Sequence, residues 1–258
     1  MDRSVSFERV PLLRGIDIDH GPREQIGQLL LTATDAAAAR GLKLYLTTLA
    51  DILAINEANQ DSWGPLAPMY NPRLWGPDDG EAMGIVGLNA DGVAVATQAV
   101  RLFELTETSF ADEAKTMRLF YRDPEAQSRP GESCTVTAPS AGSIKGRVAM
   151  SGGVWYRPDY RGKQLANILP RIGRACSLAQ WDIDYSVAIN SEAVFKGGMA
   201  GRAGFPHSEW ELLLHFAPIG DIRFAINWIT KPELIDDFST FVAGFDVEGK
   251  RAVENRRA

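Results

Sequence analysis

The sequence predicts an α/β (α+β) fold, on three observations. A short apolar strand ending near Val154–Tyr156 runs into Arg-Pro-Asp-Tyr-Arg-Gly-Lys-Gln-Leu-Ala, residues 157–166, and a helix-period segment follows at once. Two strand-type segments, Met83 to Leu88 and Val93 to Leu105, flank Asn89-Ala90-Asp91-Gly92, whose Asp-Gly is a hairpin turn signal. From Leu42 onward the order is strand, helix, hairpin, strand, turn, helix, strand, helix, strand.

Each element has its own signal. Met1 to Gly21 reads as an irregular arm broken by Pro11, Gly15 and Gly21-Pro22. Pro22 to Arg40 is a helix, with Ile26, Leu29, Leu30 and Ala33 on one face and Gly41 as its stop. Leu42 to Thr48 is a strand, and Leu49 to Gln60 a helix with Asp51 in its first turn and Ile52, Leu53 and Asn56 at helical spacing. Ser62 to Gly80 is a long loop rich in Pro, Gly, Trp and Tyr, of the kind that covers a site. Thr108 to Tyr121 has helical spacing, and Arg122 to Lys145 reads as a loop. Arg147 to Tyr156 is the strand that feeds the turn. Lys163 to Gln180 is the next helix, striped by Leu165, Ile168, Leu169, Ile172, Cys176 and Ala179, with a kink expected at Pro170. Tyr185 to Asn190 is a buried-type strand and Glu192 to Ala203 a glycine-broken helix. Glu211 to Phe216 and Ile222 to Trp228 form a closing hairpin, Pro232 to Val242 a helix, and the tail from Glu248 a frayed end.

The chain has 258 residues, 45% hydrophobic and 23% charged, the composition of an ordinary soluble globular protein. Its formal charge of −6 argues against a general nucleic-acid or acidic-membrane surface. No segment approaches a membrane span, and the first residues lack the apolar run of a signal peptide. The two cysteines, Cys134 and Cys176, are far apart and outside any metal-like spacing, so a reduced, cytoplasmic protein is expected. Cys176 falls on the apolar helix face, and Cys134 has no histidine paired with it in the sequence. His20, His207 and His215 are scattered and do not read as metal ligands, so no metal is expected. His207 reads as a solvated loop residue, with a place lining a site as the other reading. Asp78-Asp79 and Asp236-Asp237 read as solvated charges. Trp63 and Trp75 either shape a pocket or anchor the core.

A strand, a basic glycine-bearing turn and a helix in that order make an anion site. The first turn of a helix carries unpaired N–H groups and partial positive charge. The stretch from Val154 to Phe205 resembles motif A of the GNAT family of N-acyltransferases, and the resemblance covers roughly Leu42 to Phe216. It implies a central mixed, mostly antiparallel sheet flanked by helices. The 1–41 and 218–258 segments would be extensions of a domain at 42–217. The family signature is Gln or Arg, two residues, Gly, one residue, then Gly or Ala. It falls on Arg161-Gly162-Lys163-Gln164-Leu165-Ala166, with Gln164 where the family has glycine.

The resemblance implies acetyl-CoA or another acyl-CoA as cosubstrate. Backbone N–H groups of Gly162, Lys163, Gln164, Leu165, Ala166 and Asn167 would cradle its diphosphate, with Arg161 or Lys163 at the rim. The pantetheine arm would lie where the strand around Val154 and Trp155 parts from Tyr185 to Ile189. The thioester carbonyl would sit near the N–H of Trp155 or Tyr156. Asn190 and Gly204-Phe205 match a second family landmark, but the tyrosine often invoked as general acid aligns with Ala200. Tyr156, Tyr160 and His207 are the substitutes in the sequence, and Tyr156 and Asn190 are the candidate catalytic residues. The implied reaction is acyl transfer from CoA to a small-molecule or peptide amine, and the implied assembly is a homodimer. A scaffold that has lost catalysis and binds a ligand or a protein is the alternative, motivated by Gln164 and Ala200. Acyl-homoserine lactone synthesis ranks last, because its N-terminal basic-aromatic pattern is not evident.

Overall fold

The computed structural model describes residues 9–76, 80–217 and 219–254, with the side chains of the last helix described through Phe245. The Asp78-Asp79 pair lies outside the described residues. Among the described residues nine strands form one sheet, in the order β1-β2-β3-β4-β6-β7-β9-β8-β5. They are β1 Val10–Pro11, β2 Lys43–Thr47, β3 Ala82–Leu88, β4 Ala94–Leu105, β5 Ser133–Val136, β6 Gly146–Tyr156, β7 Tyr185–Ser191, β8 His207–Phe216 and β9 Gly220–Thr230. Strands β6 and β7 run parallel, while the other pairings are antiparallel. The parallel pair needs a crossover, and the helix Leu169–Trp181 supplies it. The sheet is therefore the mixed, mostly antiparallel, helix-flanked one expected.

Period-2 alternation divides the interior into two layers. Ala149, Ala188 and Ile229 face the helices Arg23–Ala38, Leu169–Trp181 and Lys231–Glu254. Val148, Met150, Val187 and Ile226 face the layer that holds Leu49 and Ile52 of the helix Leu49–Ala58 and Phe110 of the helix Phe110–Lys115. Thr48 and Asp51 form a capping box at the start of Leu49–Ala58.

Several expectations need correction. The arm before Gly21 contributes strand β1 and a helical turn, Leu12–Gly15, whose Leu12 is buried. The helix expected through Tyr121 stops at Lys115, because Met117 turns left-handed at φ 64°, and Leu119, Phe120 and Tyr121 are buried beyond it. The loop expected over 122–145 contains β5, an edge strand on β8; four residues of mixed burial give no readable period. Pro170 causes no kink, since the helix begins at Leu169 and Pro170 occupies its first turn, where the missing N–H costs nothing. The last helix continues through Glu254, past the expected fraying point.

Candidate active site

Strands β6 and β7 pair only from Val148↔Tyr185 to Met150↔Val187. Beyond that, β6 stays with β4 as far as Tyr156, while β7 stays with β9 as far as Ser191. A cleft of about 420 Å³ opens where they part, walled by Ser151 to Tyr156 on one side and Ala188, Ile189 and Asn190 on the other. A bulge shapes the β6 wall: between Ala99↔Gly152 and Thr97↔Trp155, β6 carries an extra residue. Gly153 absorbs it at φ +57°, and the Thr97 hydroxyl donates to the Gly153 carbonyl at 2.9 Å. Sequence reasoning did not use Gly152-Gly153. A glycine pair inside a strand was the available signal.

The loop after the helix Leu49–Ala58 covers the cleft, as its length and composition suggested. Trp63 stacks on Trp155 with ring centroids 5.5 Å apart, and Trp155 Nε1 donates to Ser62 Oγ at 3.0 Å. Arg161 donates to the Ser62 carbonyl at 2.8 Å and to the Tyr156 carbonyl at 3.3 Å, so it ties this loop to the end of β6. Trp75 is an anchor instead: its Nε1 donates to the Phe120 carbonyl and Arg101 lies over its ring.

The turn leaves the strand through two left-handed residues, Gly162 at φ +78° and Gln164 at φ 59°. A left-handed non-glycine residue costs about 1–2 kcal/mol. Arg40, at the end of the helix Arg23–Ala38, holds Gln164 there. Its Nη2 donates to Gln164 Oε1 at 3.0 Å and its Nε to the Lys163 carbonyl at 2.8 Å. Gln164 thus holds a left-handed conformation that glycine adopts at less cost. A single helical turn, Leu165–Asn167, follows, and the main helix starts at Leu169 rather than Lys163. The Asn167 and Ile168 N–H groups bond back to the Gln164 and Leu165 carbonyls. Among the described residues, the N–H groups of Gly162, Lys163, Gln164, Leu165 and Ala166 have no such partner. Lys163 Nζ rests over the Tyr160 ring at 3.8 Å. Arg171 and Arg202 border a groove that Gln164 and Asn167 also line. Basic groups therefore gather around the turn of an acidic chain.

Behind the turn, Arg171 donates to both Asp237 oxygens, at 2.9 and 2.8 Å, and to the Asn167 carbonyl at 2.8 Å. Arg174 reaches Asp237 at 3.4 Å, donates to the Ala203 carbonyl and lies under the Phe205 ring. Ala203 and Phe205 line the cleft, so this buried ion group fixes one of its walls. Asp237 is 15% exposed, not a solvated charge as expected, because the long last helix turns it inward beside buried Leu234 and Phe238.

Asn190 lines the cleft and accepts from Asn227 Nδ2 at 3.0 Å, and Asn227 itself accepts from Ser208 Oγ at 2.7 Å. Tyr156 lines it as well. Its hydroxyl is buried without a hydrogen-bond partner, and burial raises its pKa while the Arg202 charge opposes this. Leu165 and Ala166 are buried under the turn. Ala200 is also buried and offers no hydroxyl; its carbonyl accepts the Phe205 N–H at 3.1 Å. His207 does not line the cleft. It stacks on Trp228 and bonds Glu233 at 2.6 Å, because β8 begins there rather than at residue 211.

Cys134 and Cys176 are both buried, and burial pushes each thiol up to about 12. At pH 8 the thiolate fraction is then about 10⁻⁴. A thiol reagent is expected to label neither in the native protein and both after unfolding; rapid native labelling would contradict the burial. Among the described residues no group of His, Cys, Asp and Glu could hold a metal ion, and no helix is long and apolar enough to cross a membrane.

No protein-family model matches the chain, and no curated protein matches it. Solved structures do overlap it. A spermidine N-acetyltransferase from Vibrio cholerae in complex with CoA and spermine is similar at 13% identity and TM-score 0.43, over 76% of this chain and 98% of that one. A mutant form of the spermidine/spermine N-acetyltransferase from the same organism overlaps at 12% identity and TM-score 0.44, over 76% of this chain and 97% of that one. A ribosomal-protein-S5-alanine acetyltransferase from Vibrio fischeri overlaps at 10% identity and TM-score 0.43, over 74% of this chain and 93% of that one. The mixed, mostly antiparallel fold of this chain rests on its own strand order and on its parting parallel pair, not on these overlaps.

Proposed function

We propose that this chain is an N-acyltransferase that moves an acetyl or other acyl group from CoA to an amine by direct attack. The observation that carries the reading is the parting of β6 from β7, which opens a cleft beside a turn with unpaired N–H groups. A diphosphate suits the N–H groups of Gly162 to Ala166, and a side chain at Gly162 would meet nothing within 4 Å, so the approach to that backbone is open. Acetyl-CoA supplies the activated acyl group; the chain supplies position and charge.

In this reading the backbone of β6 beyond Met150, freed from β7, pairs with the pantetheine amides. The N–H of Trp155 or Tyr156 would stabilise the negative charge that develops on the thioester carbonyl oxygen as the amine attacks its carbon. The amine attacks neutral, and its proton leaves through water. The departing thiolate takes a proton from Tyr156, which lines the cleft that Ala200 does not serve. Asn190, held by Asn227, orients the cosubstrate at the β7 edge.

Calorimetric titration with acetyl-CoA, with CoA as comparison, tests the site. Saturable binding near one per chain is expected. Gly162→Val forces a β-branched residue to φ +78° and is expected to weaken binding about tenfold, from a backbone cost of about 1–2 kcal/mol, with the fold retained. Unchanged affinity in a folded variant would remove the turn from the site. Release of free thiol with any amine separates the enzyme from a scaffold that binds CoA and does nothing more, the reading that Ala200 motivates.

A further inference from the structure

A second cavity, of about 310 Å³, meets the same strand segment and shares Ser151, Gly152, Gly153 and Ile189 with the cleft, together with the loop residues Pro65, Leu66 and Ala67. It extends further into the layer of Leu49–Ala58 than the cleft does. Its walls include Met69, Tyr70, Phe120 and Leu214 from the layer of Leu49–Ala58, whereas the cleft touches Ala188, Ala203 and Phe205 from the layer of Leu169–Trp181. The two cavities thus both reach Gly152 and Gly153.

The chemistry of the second cavity is one-sided. Leu66, Phe120, Leu214, Phe216, Ile222 and Phe224 make its walls, and among the described residues no Asp, Glu, Lys, Arg or His lines it. Its polar side chains are Tyr70, Ser151 and Ser191. The Tyr70 hydroxyl stands over the junction, since a Cβ at Gly152 would come within 2.5 Å of it. An ammonium ion moved here would lose water and gain no carboxylate, a cost of several kcal/mol. A neutral amine with an apolar body would lose little and bury carbon. An amine must reach the thioester from a direction that the cosubstrate does not fill, and this cavity offers one.

We propose that this cavity is the acceptor site, and that the acceptor is a primary amine carrying a compact apolar body, aliphatic or aromatic, rather than a polyamine. The proposal rests on the acyltransferase reading above. It departs from the spermidine and spermine named for the overlapping structures.

The test measures kcat/KM with acetyl-CoA for propylamine, butylamine, pentylamine, hexylamine and phenethylamine, against spermidine. A rise of about fourfold per added methylene is expected until the cavity is full. Phenethylamine is expected to exceed spermidine at least a hundredfold. Ile222→Glu, on a half-buried wall position, is expected to lower the rate with hexylamine and raise that with 1,4-diaminobutane. A flat amine series, or a preference for spermidine, overturns the proposal. A parallel series of acyl-CoA chain lengths with propylamine distinguishes the other source of an apolar group. A rise there with a flat amine series assigns the cavity to the acyl chain and overturns the acceptor assignment. Should no amine release thiol, the transferase reading fails, and calorimetry of hexylamine against 1,4-diaminobutane still reads the cavity. Preference for hexylamine retains the ligand class; equal or reversed affinity removes it.

Discussion

Replacing Asp237 by alanine is expected to cost about 3–5 kcal/mol of folding stability, the largest single effect available away from the apolar core. Asp237 is the acidic partner of two arginines, Arg171 at 2.8 Å and Arg174 at 3.4 Å, and these are 12% and 1% exposed. Burial pushes the Arg174 guanidinium down to about 10, Asp237 pulls it back up, and Arg171 pushes it further down. Without Asp237, two neighbouring cations would remain in a place that favours neither. For a chain of this size the loss corresponds to a fall in Tm of about 6–20 °C. Adding Arg174→Met to the alanine variant should recover part of it, because the deepest unpaired charge is then gone. Thermal and urea unfolding of the single and double variants read both numbers. A loss under about 1 kcal/mol for the single change would mean that water already shields this group.

Gly153→Val is expected to cost about 2–5 kcal/mol. Two terms add: about 1–2 kcal/mol for an L-residue at φ +57°, and about 1–3 kcal/mol for overpacking, since a Cβ there falls 2.6 Å from the Ala99 Cβ. The pair of terms can be separated. Ala99→Gly in the same chain removes the overlap and leaves the backbone cost, so the double variant should regain roughly half of the loss. If Ala99→Gly regains nothing, steric overlap is not the cause. Urea unfolding measures the stability, and titration with acetyl-CoA in the folded variants measures whether the bulge also sets the width of the cleft.

The strand, turn and helix that form the cleft were legible because their signals are local. Apolar alternation into Val154–Tyr156, the breaker run at residues 157–164 and the stripe from Ile168 to Ala179 need no knowledge of the rest of the chain. The parting of β6 from β7 came from family resemblance and agrees with the register. The bracing was not legible. Arg40 to Lys163 and Arg171 to Asp237 join residues far apart in sequence, and a charge on a helix face looks the same whether it meets water or a partner. Met117 was missed for a related reason: its left-handed turn is imposed by burial of the aromatic residues after it, against the local helical spacing. The second cavity was hidden too, because Tyr70, Phe120 and Phe224 come from separate elements and converge only in the folded sheet.

The Arg40 brace ties the conduct of the turn to a helix that lies more than a hundred residues earlier in the chain. Arg40, just past the helix Arg23–Ala38, bonds to the Ala36 carbonyl in its last turn and to Lys163 and Gln164 across the gap. An anion seated on the turn therefore draws on the order of the helix Arg23–Ala38, and by reciprocity steadies it by the same free energy. Slowed amide exchange at residues 33–38 would report occupancy of a site that those residues never touch.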